Sequence, residues 1–205
     1  RLVRGRRQWV IRDRPFVLLA PPHPTFRNPD YVRSNFCGSC HQKTFKEWKA
    51  TNVEDTCQDC HMPRKKSRLT QKAGFNLLHK KRWVGDHRFL HGEIKEKDVV
   101  MEPGWEENFF IISLKNQTIP HFVPTADNGD PRLYLYIKFF NEAGEEVDNA
   151  KEIIAPQQET ALPYNKKMRY RYRLFDKIIK AEVELKYQPA WSKEKSTLRT
   201  ETVLR

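Results

Sequence analysis

The chain has 205 residues, which allows one large domain or two small ones. Hydrophobic residues make up only 38% of it, the mean hydropathy is −0.81, and no apolar run reaches the length of about 18 residues that a transmembrane helix needs, so the sequence predicts no membrane span. The formal net charge of +12 predicts acidic partners, because a basic surface attracts acidic ones.

The first 30 residues are basic and interrupted by prolines at positions 21, 22, 24 and 29. Closely spaced prolines oppose both helices and central strands. This segment is therefore predicted to be irregular and to wrap around the rest of the molecule.

The next part of the chain carries one short motif twice. Cysteine, two other residues, cysteine and histidine follow one another at Cys37–His41 and again at Cys57–His61, which accounts for all four cysteines. This is the attachment signature of haem c, in which two thiols form thioethers with the haem vinyl groups and the adjoining histidine binds the iron. The motifs predict two covalently bound haem c groups, attached to Cys37, Cys40, Cys57 and Cys60, with His41 and His61 as proximal iron ligands.

The same cysteines also have the spacing of a zinc ribbon. Sixteen residues separate Cys40 from Cys57, which gives C-x2-C-x16-C-x2-C. The chain has seven histidines, so both motifs would be followed by histidine by chance only about one time in a thousand, and a four-cysteine zinc site needs neither histidine. The histidines favour haem over the two alternatives, a zinc ribbon or a pair of disulfides.

Haem attachment has consequences for the location and the partners. Covalent attachment takes place outside the cytoplasmic membrane, so we expect a periplasmic or extracellular protein. The first residues do not form a signal peptide, and an export signal is expected upstream of this chain. A basic surface would otherwise favour nucleic acid, but an exported haem protein is expected to meet other cytochromes or redox proteins with acidic surfaces.

The periodicity of the sequence changes near residue 107. Before it, short helices are predicted, one of them over Thr44–Ala50 with Phe45 and Trp48 on one face. After it, apolar and polar residues alternate, which is typical of strands, over Asn108–Leu114, Arg132–Phe140, Met168–Leu174 and Ala181–Tyr187. A hairpin turn is predicted at Asn141–Glu145.

Together these elements predict an α+β fold with two domains. Residues 1–105 are expected to form a small, mostly irregular or helical dihaem cytochrome c region, and residues 106–205 an antiparallel β-sandwich of immunoglobulin-like type. The apolar faces of the strands are expected to pack on each other rather than on haem, through Leu133, Leu135, Ile137, Phe139, Val183 and Leu185.

The far side of each iron needs a second ligand, and the sequence offers mainly histidines for it. Five remain after the motifs, His23, His79, His87, His91 and His121, whereas the chain has only three methionines. Met62 directly follows His61 and cannot reach across the same porphyrin. Histidine on both sides of each iron is therefore favoured, and it gives a lower reduction potential than histidine with methionine.

Three stretches resemble the multihaem cytochromes c related to cytochrome c554. They are Phe36–Gln42, Thr56–Pro63 and Asp86–Phe89. In many of those proteins a C-terminal β-sandwich follows, with a loop similar to Asn116–Ala126. The resemblance covers about residues 20–190 and implies electron transfer through closely stacked haems with histidine on both sides of each iron. It also implies distal ligands at His23, His87 and His121, which leaves His79 and His91 solvated.

The predicted function is electron transfer by a dihaem protein without enzymatic activity. An oxidoreductase acting on a small nitrogen or sulfur compound is an alternative, but it needs an iron with an open sixth position, and the five spare histidines argue against one. Assembly into a larger complex or filament, with the sandwich as the docking element, is compatible with electron transfer.

Overall fold

The N-terminal part of the structure consists of short elements. The computed structural model describes residues 29–68, 80–86, 94–174 and 177–205. A 3-10 helix over Pro29–Val32 comes first. Three α-helices and then two strands of an antiparallel pair follow: α1 (Ser34–Gly38), α2 (Gln42–Lys49), α3 (Cys57–His61), β1 (Arg64–Ser67) and β2 (Arg82–Gly85). Within the described ranges, no helix is long and apolar enough to cross a membrane.

Seven longer strands form two antiparallel sheets in the described part of the remaining chain. They are β3 (Val99–Glu106), β4 (Phe109–Asn116), β5 (Arg132–Phe140), β6 (Glu146–Ile154), β7 (Lys167–Arg173), β8 (Lys180–Gln188) and β9 (Ser196–Leu204). The strand order is β3-β4-β7 in one sheet and β6-β5-β8-β9 in the other. The tight turn from Asn141 to Glu145 joins β5 to β6, with Gly144 at a φ of +79° that favours glycine.

The inner faces of the two sheets share one hydrophobic core. Leu133, Leu135, Ile137 and Phe139 of β5 are at most 1% exposed, and they cluster with Val183 and Leu185 of β8, as predicted. The rings of Phe110 and Phe139 meet edge to face between the sheets, with centroids 5.4 Å apart. Each fully buried side chain of this size stabilises the fold by about 1.5–3 kcal/mol.

Within the two large sheets three strands were not predicted, and all three lie at sheet edges. An edge strand has one neighbour and one solvated side, so the apolar alternation that marks a central strand is weak in β6, where five of the first six residues are exposed. Strand β3 contains Pro103 and Gly104, a pair that the sequence suggests as a turn but that an edge strand tolerates. Strand β9 pairs only with β8.

The α+β prediction is wrong, because the chain is mostly antiparallel β-sheet. The described residues show no helical dihaem region: the three helices have five, eight and five residues, and β1 and β2 lie beside them. Helices of one or two turns are not stable by themselves, and the contacts described below hold them in place. The division into domains at residues 1–105 and 106–205 stays a prediction; strand β3, which pairs with β4, begins already at Val99.

Candidate metal centres

The first cysteine motif lies where α1 ends and α2 begins. The backbone N–H of His41 donates to the carbonyl of Cys37 over 2.9 Å, so one helical turn joins the first cysteine to the histidine. Glycine fits at position 38 between the cysteines, where a Cβ would lie 2.6 Å from Cγ of Phe45. Cys40 and His41 are exposed and Cys37 is half-buried, so both thiols and the imidazole can reach a bound group.

The second motif forms α3, and its two variable residues have structural roles. The hydroxyl of Thr56 accepts the backbone N–H of Asp59, and the Asp59 carboxylate accepts the N–H of Thr56 over 2.9 Å, which makes a capping box. The hydrogen bonds from Thr56 lower the pKa of Asp59. The side-chain amide of Gln58 donates to the carbonyls of Tyr31 and Arg33 over 3.1 and 2.9 Å, which ties this helix to the segment before the first motif.

The first cysteines of the two motifs touch each other. A hydrogen bond between the two thiols lowers the pKa of Cys57, against the opposing effect of burial, and raises the pKa of Cys37. The backbone N–H of Cys57 donates to the buried hydroxyl of Ser34 over 3.0 Å, which joins α1 to α3.

In the described part of the chain the four cysteines are not gathered into one zinc-type cluster. All of them belong to the described residues, and there no group of three or more His, Cys, Asp or Glu side chains could hold one metal ion. A structural zinc ion needs four such ligands around it. The cysteines instead belong to two separate motifs, each with its own histidine.

The segment between β4 and β5 carries His121 and is anchored on both sides of it. Asn116, at the end of β4, is fully buried, and its side-chain amide donates to the carbonyls of Ile119 and His121 over 2.9 and 2.7 Å. Two residues after His121, Val123 exchanges two backbone hydrogen bonds with Leu162, of 2.9 and 2.8 Å. The backbone of His121 is therefore fixed relative to the core.

The ring of His121 lies opposite the ring of His61. Their centroids are 6.4 Å apart and their planes differ by 16°. Nδ1 of His121 lies 2.9 Å from the carbonyl oxygen of Phe122, and since a carbonyl only accepts, Nδ1 carries the proton and Nε2 keeps a free lone pair. Burial lowers the pKa of His121, which favours the neutral ring that binds metals. Two residues predicted as iron ligands are thus brought together.

Asp127, in the same segment, contacts the first motif. Its Oδ2 lies 3.5 Å from Nδ1 of His41 and also accepts the hydroxyl of Thr44 over 3.0 Å. Its Oδ1 accepts the backbone N–H of Lys43 over 3.0 Å. His41 stands at the N-cap of α2 but its side chain does not cap the helix, so Asp127 supplies this cap from a distant part of the chain.

Glu47 makes a third contact between α2 and this segment. Its Oε2 accepts the hydroxyl of Thr125 over 2.8 Å and the backbone N–H of Phe122 over 3.2 Å. Its Oε1 is buried and finds no hydrogen-bond partner among the described residues. Burial raises the pKa of Glu47 despite the two donors. The orphaned oxygen and the raised pKa both fit a carboxyl group that holds a proton more strongly than an exposed one.

The other predicted ligands, His23 and His87, lie outside the described residues, as do His79 and His91. The residue before His87 is described: Asp86 is buried, forms an ion pair of 3.1 Å with Lys65, and donates its N–H to the carbonyl of Pro63 over 3.0 Å. Because β1 pairs with β2, the residue before His87 lies next to Pro63, which follows His61 by two residues.

Sequence analysis missed most of the residues that surround the motifs. Asp127, Glu47, Thr125 and Ser34 carry no local signal, because each is recognised only by a partner far away in the sequence. Gln58 and Asp59 stand inside a motif that accepts many residues at these positions. Of this group only the Thr56–Asp59 pair could have been found, since a threonine followed three residues later by an acidic residue is typical of a helix start.

The comparisons with known proteins concern the fold. No family model matches the chain, and no curated protein matches it significantly. Among solved structures it is similar to a penta-haem cytochrome c552 from Thermochromatium tepidum, with a TM-score of 0.56 and 17% identity over 86% of this chain and 57% of the other. The chain therefore spans little more than half of that cytochrome. At this identity the likeness shows the fold alone, and the fold is like that of a multihaem cytochrome.

Proposed function

We propose that the protein is a c-type cytochrome that transfers electrons through two covalently bound haems. Thioethers from Cys37 and Cys40 would hold the first haem, and thioethers from Cys57 and Cys60 the second. His41 and His61 would bind the two irons. The fold of a multihaem cytochrome supports haem binding and electron transfer in general; the number of haems and the residues that hold them are part of the proposal.

The main support for this proposal is the distance between the rings of His61 and His121. A metal–imidazole bond is about 2 Å long, and the bonded nitrogen lies roughly 1 Å from the centre of its ring. Two imidazoles on opposite sides of one iron therefore have ring centroids about 6 Å apart. The centroids of His61 and His121 are 6.4 Å apart. The Nδ1–H group of His121 donates to the backbone carbonyl of Phe122, which is the usual arrangement for a ligating histidine. His121 is therefore proposed as the distal ligand of the second haem.

The protein's part in the reaction is to hold, orient and space the two groups. Each haem supplies the exchange of one electron between ferric and ferrous iron. Because Cys37 and Cys57 touch, the porphyrin edges attached to them would lie close together, and electron exchange is faster over a shorter distance. The rigid anchoring of His121 limits ligand movement during the exchange.

The finer details of the proposal follow the resemblance to the cytochromes related to cytochrome c554. His23 or His87 would complete the first iron, and the sandwich would be of immunoglobulin-like type. The protein would work outside the cytoplasm with acidic redox partners, among them other cytochromes, and within a larger complex or filament. Two irons closed by histidine on both sides leave no position for a substrate, which is why electron transfer is preferred over an oxidoreductase of nitrogen or sulfur compounds.

Counting the haems tests this function. The chain is produced with an export signal in a host that matures cytochromes c, and a pyridine haemochrome assay is combined with mass spectrometry of the intact protein. We expect the polypeptide mass plus two haems and a haemochrome typical of two thioethers per haem. The variants C37A/C40A and C57A/C60A should each retain one haem. Bare polypeptide, alone or with bound zinc, would refute the proposal.

A further inference from the structure

We propose that Asp127 positions His41 and lowers the reduction potential of the iron that His41 would bind. This inference rests on the proposed function, and it assigns a role to a residue that lies outside both motifs. The segment between β4 and β5 would then act on both haems, through His121 on the second and through Asp127 on the first.

The contacts of Asp127 place a negative charge beside His41. Oδ2 lies 3.5 Å from Nδ1 of His41, and the Asp127 side chain is only 14% exposed, whereas that of His41 is 65% exposed. Two donors, the N–H of Lys43 and the hydroxyl of Thr44, fix the carboxylate at 3.0 Å each. A carboxylate held by two donors of the same helix keeps its place relative to the imidazole. Because the Asp127 side chain is largely shielded from solvent, its charge is screened less than that of an exposed carboxylate.

The chemical effect of this placement has a definite sign. A carboxylate beside the ring N–H of a ligating histidine fixes the tautomer, orients Nε2 and makes the ring a stronger donor to the metal. Ferric iron carries one more positive charge than ferrous iron, so a stronger donor and a nearby negative charge both stabilise the ferric state. Asp127 should therefore lower the potential of the first haem.

His121 provides a contrast within the same segment. Its Nδ1 lies 2.9 Å from the carbonyl of Phe122, which carries no net charge. A neutral partner orients a histidine without adding a charge next to the iron. Asp127 is thus the feature of this segment that would distinguish the first haem from the second.

Potentiometric titration of the haem-loaded chain, followed by visible and electron paramagnetic resonance spectra, tests the inference. Asp127→Asn keeps the shape and an oxygen for Lys43 but removes the charge. We expect the midpoint potential of one haem to rise, with about a tenfold change in its ferric-to-ferrous ratio at a fixed applied potential, which is about 59 mV for one electron. Only one of the two low-spin ferric signals should change.

Two further variants separate this role from helix capping and from overall charge. Asp130→Asn removes a charge from the same segment, but Asp130 is paired with Arg132 and 46% exposed, and it should leave both potentials unchanged. Thr44→Val removes the hydroxyl that shares Oδ2 with His41, whereas the N–H of Lys43 still holds Oδ1 in place. The carboxylate should therefore act more strongly on the ring, and the same potential should fall.

Each result has one meaning. An unchanged or lowered potential in Asp127→Asn, an equal rise in Asp130→Asn, or a rise in Thr44→Val would overturn the inference. If Asp127→Asn does not yield loaded protein, Thr44→Val decides, and anything but a fall counts against Asp127. A wild-type chain without haem would instead refute the proposed function, before any potential is measured.

Discussion

The side-chain amide of Asn116 donates a hydrogen bond to the carbonyl oxygen of His121 over 2.7 Å. The same amide donates to Ile119, and its own oxygen accepts the N–H of Ile119 over 3.2 Å. One buried side chain thus organises the whole turn that presents His121. The backbone of a proposed iron ligand is thereby tied to the end of a core strand.

Replacing Asn116 by alanine should destabilise the protein by about 2–3 kcal/mol, because several buried backbone groups lose their partner at once. The free energy of unfolding is measured by urea titration with far-ultraviolet circular dichroism. Asn149→Ala is the matched control, since Asn149 is exposed on β6 and its loss should cost less than about 0.5 kcal/mol. Equal effects of the two substitutions would contradict the role of Asn116.

His121→Ala should convert one of the two haems from low spin to high spin while both stay attached, because the iron loses its sixth ligand. Visible and electron paramagnetic resonance spectra measure the change, and added imidazole should reverse it by binding in the vacated space. Phe122→Leu is the control: the backbone carbonyl of Phe122 that meets Nδ1 of His121 remains, and the spectrum should stay low spin. A low-spin spectrum in His121→Ala would remove His121 from the ligands.

Gly38→Ala should destabilise the protein by about 1 kcal/mol, because the added methyl group overlaps the half-buried ring of Phe45, which must move. Denaturant titration checks it. Gly104→Ala makes a suitable comparison, since a Cβ at Gly104 meets nothing within 4 Å, and its stability should match the wild type to within about 0.5 kcal/mol. If Gly38→Ala leaves the free energy of unfolding unchanged, the Phe45 ring moves aside without loss of stability, and the prediction is wrong.

Glu47 should make stability depend on pH in a predictable direction. Burial raises its pKa in the folded state, so its contribution is fully present below the pKa of the unfolded chain, near 4.5, and is lost as the pH rises through the higher folded value. Glu47→Gln keeps an oxygen for Thr125 and Phe122 without a titrating proton. The difference in unfolding free energy between the two proteins should therefore change in favour of the glutamine variant as the pH is raised from 4 to 7. A difference that does not vary with pH would contradict the raised pKa.

The predicted domain boundary can be tested with two fragments. A fragment of residues 94–205 contains all seven strands of the two sheets and should unfold cooperatively without haem, with a β-type circular dichroism spectrum. A fragment of residues 106–205 lacks almost all of β3, and with it the buried Val99 and Met101, each of which stabilises by about 1.5–3 kcal/mol. It should melt at a lower temperature or not fold. If neither fragment folds, haem region and sheets form one core.

The strands of the core could be predicted from the sequence because they lie in the middle of a sheet or carry strict alternation. Strand β5 begins and ends where the alternation does, at Arg132 and Phe140. The edge strands β3, β6 and β9 could not be found in this way, since a strand with one solvated side needs few apolar residues. The fold class was wrong for this reason: the strands that were missed turn an α+β prediction into a mostly β structure.

The sequence by itself determined the two attachment motifs, because thioether formation and proximal ligation depend on five consecutive residues. Only the tertiary structure decided which side chains surround those motifs. His41 meets Asp127, Glu47 meets Thr125, and His61 faces His121, although the members of each pair are at least 60 positions apart in the sequence. The periodicity of a sequence indicates which face of a helix or strand is apolar. It does not indicate which loop the fold brings next to that helix or strand. The charge beside a proposed ligand and the burial of that ligand, which would tune a bound metal, arise from that loop.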